Sequence, residues 1–276
     1  MNNKLNLNTK MTLSNGVQIP ILGLGTWKID DSKVEEVILS ALNIGYRHID
    51  TAATYQNEIG VGKALVKSSV VRGDVFITTK LWNTDHGYNK AIAACDKSLQ
   101  NLGLTYVDLY LIHWPVAGLF IETWAAMEEL LASGKCHAIG VSNFTISHLE
   151  SLMKESTTVP AVNQVEFSPY LYQKELLDVC KSKGIQMEAY SPLTRGNKLA
   201  NPTLTEIAKR YGKSTAQILI RWSLQTGLVV IPKASSPVHL RENADVFGFE
   251  ISADDMQILN SFNEDLHICW NPEKEA

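Results

Sequence analysis

Cysteine is scarce and scattered: Cys95, Cys136, Cys180 and Cys269 stand far apart in 276 residues, with no CxxC. That spacing offers neither a zinc site nor a disulfide framework, so no metal centre is expected. Charge of one sign is lacking too. The 25 basic and 29 acidic residues leave a net charge of −4. No basic stripe suits nucleic acid and no acidic tail suggests a solvating arm. No apolar run approaches the ~18 residues of a membrane span, and the opening MNNKLNLNTKM has no apolar leader core. These absences predict a reduced, cytoplasmic setting without nucleic-acid or membrane partners. Nor does any Pro/Gly/Ser-rich linker divide the chain, since RGNKLANPTL (Arg195–Leu204) is too short to be one. Residues 1–276 are therefore read as a single domain, and a monomer is expected.

What is present is a rhythm. MTLSNGVQIP places two short extended runs around Asn15-Gly16, a strong hairpin signal. Eight strand-like runs follow: ILGLG, RHID, VFITTK, VDLYLIH, HAIGVS, AVNQVEF, IQMEAY and LVVIPK. Helical periodicity fills the gaps, first over Lys33–Gly45, Asn57–Ser69, Tyr88–Leu102 and Leu119–Ser133. Val34, Val37, Ile38, Ala41 and Leu42 make one apolar stripe, and Phe120, Trp124, Met127 and Leu131 another. Strands alternating with helices predict a parallel sheet, because parallel neighbours need crossovers. At this length the α/β pattern fits a (β/α)8 TIM barrel, with the N-terminal β-hairpin closing its bottom.

Such a barrel collects chemistry at the C-terminal ends of its strands. Those ends read Gly25-Thr26, Asp50, Lys80, His113, Ser142-Asn143, Gln164, Tyr190 and Lys233. One polar strand end alone is usually a cap or a salt bridge; a full ring of them around one mouth points to a site. Two tempting motifs fail on their residues. GLGTWK puts Lys where a dinucleotide fingerprint needs Gly, and EIGVGKAL lacks the upstream Gly and the Ser/Thr of a phosphate loop.

Taken in order, GLGTW, GYRHIDTAATYQNE, ITTKLWN, LYLIHWP, IGVSNF, NQVEFSPY, AYSPL, IPKA and REN resemble the signatures of the aldo-keto reductase family. The resemblance runs across almost the whole chain and implies a barrel enzyme that reduces carbonyls with NADPH. Its catalytic four fall on Asp50, Tyr55, Lys80 and His113. Their chemistry is coherent without the resemblance. Hydride addition to a carbonyl leaves negative charge on oxygen, which calls for a proton donor. A cationic Lys80 beside Tyr55 favours its phenolate, Asp50 keeps Lys80 charged, and His113 can donate to the carbonyl oxygen.

The resemblance also implies a cofactor set. Ser142, Asn143 and Gln164 would hold the nicotinamide carboxamide, with Tyr190 stacked on its ring. Ser191, Leu193 and Pro232 would line the pyrophosphate channel, and Lys233 would reach the adenosine phosphate. Glu242 and Asn243 match adenine positions, and Gly25, Thr26 and Asp50 join the set. There is a departure: Ala234 stands where NADPH-preferring relatives carry Ser, and His239 where they carry a phosphate-clamping Arg. A neutral imidazole has no bidentate fork. NADPH is thus expected as cofactor with NADH also usable.

Trp27, Trp82 and Trp114 would wall a pocket with Tyr55 and His113. Short loops around it imply broad use of small aldehydes and ketones. Trp270, in the tail, is read either as a lid or as a surface aromatic. Two rival readings stand beside the reductase. One is a barrel lyase or aldolase with a Schiff-base lysine at Lys80 or Lys233. The other is a cofactor-binding module of the same fold without turnover.

Overall fold

Gly16, at φ 87°, turns the chain where Asn15-Gly16 predicts it. β1 (Lys10–Thr12) and β2 (Gln18–Pro20) pair antiparallel, with Met11 opposite Ile19. The turn is tied down where Asn15 Nδ2 donates to His137 O at 2.9 Å. The computed structural model describes residues 5–275. Residues 1–4, the start of the stretch read as lacking a leader, and residue 276 lie outside the described residues.

Each of the eight expected runs overlaps a strand. They are β3 (Leu24–Gly25), β4 (His48–Asp50), β5 (Phe76–Leu81), β6 (Val107–Ile112), β7 (Cys136–Ser142), β8 (Val162–Glu166), β9 (Gln186–Tyr190) and β10 (Val229–Val230). They pair in chain order, all parallel. A parallel bridge between Leu22 and Val230 joins the two edges, and Gly23 N donates to Val230 O at 2.8 Å. That closure makes a (β/α)8 barrel.

The crossovers are amphipathic helices, as predicted: α1 (Asp31–Ile44), α2 (Glu58–Lys67), α3 (Tyr88–Leu102) and α4 (Phe120–Ala132). They continue as α5 (Ile146–Glu155), α6 (Lys174–Ser182), α7 (Pro202–Tyr211) and α8 (Thr215–Gln225), and after the last strand come α9 (Pro237–Ala244), α10 (Ala253–Asn260) and a short α11 (Pro272–Glu275). The whole Val34–Leu42 stripe is buried. On α4 the stripe is displaced by one position at its end, for Leu130 is buried and Leu131 only half so. Among the described residues no helix is long and apolar enough to cross a membrane.

The glycines of EIGVGKAL have a packing reason. A Cβ on Gly60 would lie 2.3 Å from Val34 Cγ1, and one on Gly62 2.3 Å from Leu102 O. Only glycine lets α2 approach α1 and α3 this closely.

Apolar side chains fill two regions. The larger lies between the strands and the helices. The smaller plugs the barrel's lower interior, where Leu13 and Ile19 of the hairpin region meet Phe76, Leu109, Leu111, Ala138, Val162 and Val229. Burying each such aliphatic side chain is worth about 1.5–3 kcal/mol. Above this plug the interior becomes polar.

Candidate active site at the barrel mouth

Side chains alternate along a strand, so Asp50 on β4 and Lys80 on β5 both enter the interior from adjacent strands. Both are buried, and Lys80 Nζ donates to Asp50 Oδ1 at 2.6 Å and to Thr51 O at 2.9 Å. Burial alone would push the Lys80 ammonium down; Asp50 and Tyr55 outweigh it and hold its pKa above the usual lysine value. Burial raises the Asp50 carboxyl, opposed by Lys80 and by a 2.8 Å hydrogen bond from Gln164 Nε2. The pairing foreseen for these two residues is present.

Tyr55 lies five residues beyond Asp50, at the end of a single 3-10 turn over Ala53–Tyr55. Asn57 braces that turn. It is fully buried, accepts from Thr51 Oγ1 at 2.6 Å, and donates to Thr26 O and Ile29 O. Lys80 Nζ sits 5.2 Å from the centre of the Tyr55 ring. Burial pushes the Tyr55 phenol up to about 12, while Lys80 pulls it down and Asp50 raises it. The lysine thus acts in the expected direction but does not prevail over burial, a correction to the simple view of Lys80 lowering the phenol. The phenol therefore stays protonated near neutral pH.

His113 follows β6, with its ring centroid 5.7 Å from Tyr55 and 5.1 Å from Trp82, both edge-on. Burial, then the Lys80 charge, press its pKa well below that of free histidine, so the imidazole is neutral. Its Nδ1 is buried without a hydrogen-bond partner.

The residues expected at the nicotinamide form one hydrogen-bonded patch. Ser142 Oγ donates to Gln164 O at 2.7 Å. Asn143 Nδ2 donates to His113 O and to Ser142 Oγ, while Asn143 Oδ1 accepts from Tyr190 OH at 2.8 Å. Asn143 takes φ 63° just after β7, a conformation asparagine tolerates better than most residues. Gly25 and Thr26 are buried, and the Thr26 hydroxyl is engaged with Asp50 O at 2.9 Å, bracing β3 against β4. Ser191 and Leu193 are half-buried in the loop after β9, and Pro232 is buried after β10. Lys233 and His239 are exposed, Glu242 is half-buried and Asn243 buried. His239 occupies the first turn of α9, where its N donates to the capping Ser236 Oγ.

Of the three tryptophans, Trp82 and Trp114 gather beside His113, and Trp270 packs on both at centroid distances of 6.4 and 5.6 Å. The tail therefore lies against Trp82 and Trp114, although Trp270 keeps 55% of its surface exposed. Trp27 is apart from them, under the Arg195 guanidinium at 4.3 Å.

Sequence reasoning passed over the residues that hold the tail in place. Glu166 accepts from Ile268 N at 3.0 Å and Cys269 N at 3.1 Å, gripping the tail by its backbone. Arg195 Nη2 reaches Cys269 Sγ at 2.8 Å. Glu166 lay in plain view within NQVEF, but nothing in a strand's periodicity reveals a distant backbone partner. Among the described residues no group of three His, Cys, Asp or Glu could hold a metal ion.

Comparison with known proteins agrees with this architecture. The Aldo/keto reductase family profile matches residues 21–264. The chain is 49% identical to a glyoxal reductase of Bacillus subtilis, over 97% of this chain and 98% of that one. It superposes on the crystal structure of an aldo/keto reductase from Brucella melitensis with a TM-score of 0.90 and 46% identity, covering 92% and 99% of the two chains. Against a Bombyx mori aldo-keto reductase solved in complex with NADP, the TM-score is 0.92 at 34% identity, with 98% of each chain covered. Fold, sequence and mouth geometry converge, and the chain belongs to the aldo/keto reductase family of oxidoreductases.

Proposed function

We propose that this protein reduces small aldehydes and ketones to alcohols with NADPH, using Tyr55 as general acid. The buried Lys80–Asp50 pair beside Tyr55 and His113 carries the reading. The chemistry of the mouth suits the cofactor. Both N–H bonds of the Gln164 amide are spent inward, on Asp50 Oδ2 and Glu188 Oε2. That leaves its Oε1 as an acceptor for a carboxamide N–H. Ser142, Asn143 and Tyr190 would complete the nicotinamide contacts, with Ser191, Leu193, Pro232 and Lys233 along the phosphates and Glu242 and Asn243 at the adenine. NADPH supplies the hydride.

The chain's own residues manage the proton. His113 N–H and the Tyr55 O–H converge on the carbonyl oxygen and fix its angle. As negative charge grows there, the phenol O–H bond breaks and its proton passes to that oxygen. The resulting phenolate faces the Lys80 ammonium, which Asp50 keeps charged and in place. Solvent returns a proton to Tyr55 after the alcohol leaves. Trp82, Trp114 and Trp270 supply an apolar wall for the substrate's carbon skeleton. The named glyoxal reductase at 49% identity favours small, reactive carbonyls.

A steady-state screen of ~20 carbonyls with NADPH, in the presence of a chelator, tests this. Turnover of glyoxal-type and aromatic aldehydes is expected at full rate. Complete loss on chelation, restored by zinc, would overturn the metal-free mechanism. Schiff-base chemistry is disfavoured by the same Lys80–Asp50 pair, since such a lysine needs a lowered pKa. Borohydride should therefore trap no substrate on Lys80 or Lys233, as read by mass.

Cofactor preference gives a second test. Lys233 offers the adenosine phosphate a point charge, and the exposed His239 stands where an arginine fork would clamp it. Losing a bidentate contact of ~1–2 kcal/mol weakens discrimination by about tenfold. NADPH should be preferred and NADH usable. His239→Arg should lower the KM for NADPH and leave that for NADH unchanged. A strictly NADPH-specific wild type, unaltered by this substitution, would mean another residue holds the phosphate.

A further inference from the structure

One layer below the Lys80–Asp50 pair lies a carboxyl that the proton chemistry does not use. Glu188, on β9, is fully buried and stands level with Gln164 of β8 in the strand register. Its Oε2 accepts from Gln164 Nε2 at 2.8 Å, and the same nitrogen donates to Asp50 Oδ2 at 2.8 Å. An amide nitrogen has two protons, so both are committed. Turning the amide over would set its oxygen against the Asp50 carboxylate.

The charges of this layer settle the state of Glu188. Four ionisable groups face one another here: Asp50 and His48 from β4, Lys80 from β5 and Glu188 itself. Lys80 is matched by Asp50. Burial lowers His48 to about 3, which keeps it neutral, with its Nε2 3.5 Å from Glu188 Oε1. A charged Glu188 would be unmatched, and unmatched buried charge is strongly disfavoured. Burial first, then the Asp50 charge, push its carboxyl up to about 8.

We propose that Glu188 is a positioning residue for the cofactor: its carboxyl fixes the Gln164 amide with Nε2 inward and Oε1 outward. The mouth then offers the nicotinamide carboxamide an acceptor rather than a donor. This rests on the NADPH reading above, and it assigns a purpose to a buried acid that touches neither substrate nor cofactor.

Two variants separate this role from plain packing. Glu188→Gln keeps an oxygen for Gln164 Nε2, whereas Glu188→Leu removes it. Dissociation constants for NADPH, and for 2′-phospho-ADP-ribose, which lacks the nicotinamide, are read by quenching of tryptophan fluorescence. Glu188→Leu should weaken NADPH by about tenfold, the scale of one lost buried hydrogen bond. Its affinity for the fragment should not change. Glu188→Gln should keep both affinities within about twofold.

The Gln variant also has a stability signature. An acid whose pKa is raised by folding stabilises the fold fully below its unfolded value. That contribution is lost as pH rises from about 4.5, the ordinary glutamate value, through about 8. The fall in Tm between pH 5 and pH 8 should therefore be smaller in Glu188→Gln than in wild type.

Unchanged NADPH affinity in Glu188→Leu, or equal loss of NADPH and fragment, would overturn the proposal. So would Glu188→Gln losing NADPH affinity more than about fivefold, a result that decides even if the Leu variant does not fold. Wild type failing to bind NADPH would overturn the cofactor reading as well, which distinguishes the two failures.

Discussion

Replacing Tyr55 by Phe should lower kcat for aldehyde reduction by at least ~10²-fold, the lower range for loss of a general acid. The substitution removes one oxygen and keeps the ring that meets His113 edge-on. Binding of NADPH should be nearly unchanged, because the proposed nicotinamide contacts come from Ser142, Asn143, Gln164 and Tyr190, which form a hydrogen-bonded patch of their own. The fall should appear in kcat and kcat/KM together, as for an interaction made only in the transition state. Steady-state kinetics beside a fluorescence titration of NADPH make the measurement. A variant of near wild-type rate would reduce Tyr55 to an aromatic of the rim.

Lys80→Met should be at least as damaging to rate, and it should also destabilise the fold. Removing one partner of a buried ion pair costs about 3–5 kcal/mol, because the other is left charged and alone. At roughly 2–4 °C per kcal/mol for a chain near this size, Tm should fall by about 6–20 °C. The loss depends on pH with a definite sign. Without Lys80, burial pushes the Asp50 carboxyl up with no cation to oppose it. Protonation then relieves the lone charge, so the deficit should be larger at pH 8 than at pH 5. Adding Asp50→Asn to Lys80→Met should recover most of the stability and none of the rate. Equal deficits at the two pH values, or a retained rate, would show that the pair does not act as described.

The barrel was legible because its signal is repeated. Eight β-rich runs alternate with amphipathic helices, and a shift of one position, as at Leu130 and Leu131, leaves the pattern intact. The positions of Asp50, Lys80 and His113 were legible for a related reason. Strand ends must surround one mouth, so polar residues there meet whatever loops intervene.

Less could be seen where the deciding partner is remote and irregular. The grip of Glu166 on Ile268 N and Cys269 N depends on a tail with no periodicity. The stack of Arg195 on Trp27 joins residues 168 positions apart through a loop where Ser191, Thr194 and Arg195 all take positive φ. Nor can residue types alone weigh burial against charge at Tyr55. Lys80 was expected to dominate there, and desolvation of the phenol outweighs the lysine's charge although Tyr55 is only half-buried.

The bridge from Leu22 to Val230 has a consequence for how this protein comes into being. Its two edges are separated by most of the chain, so the barrel cannot close until β10 has been synthesised. At ~5–20 residues per second, β3 waits on the order of 10–40 s for its partner on the ribosome. During that interval the nascent sheet has two open edges able to pair with other chains. Asp50 and Lys80 come from the adjacent strands β4 and β5, but the burial of their pair requires the closed barrel. Ring closure is a late, long-range event of the slow kind, and the desolvation that tunes Tyr55 comes into force only with it.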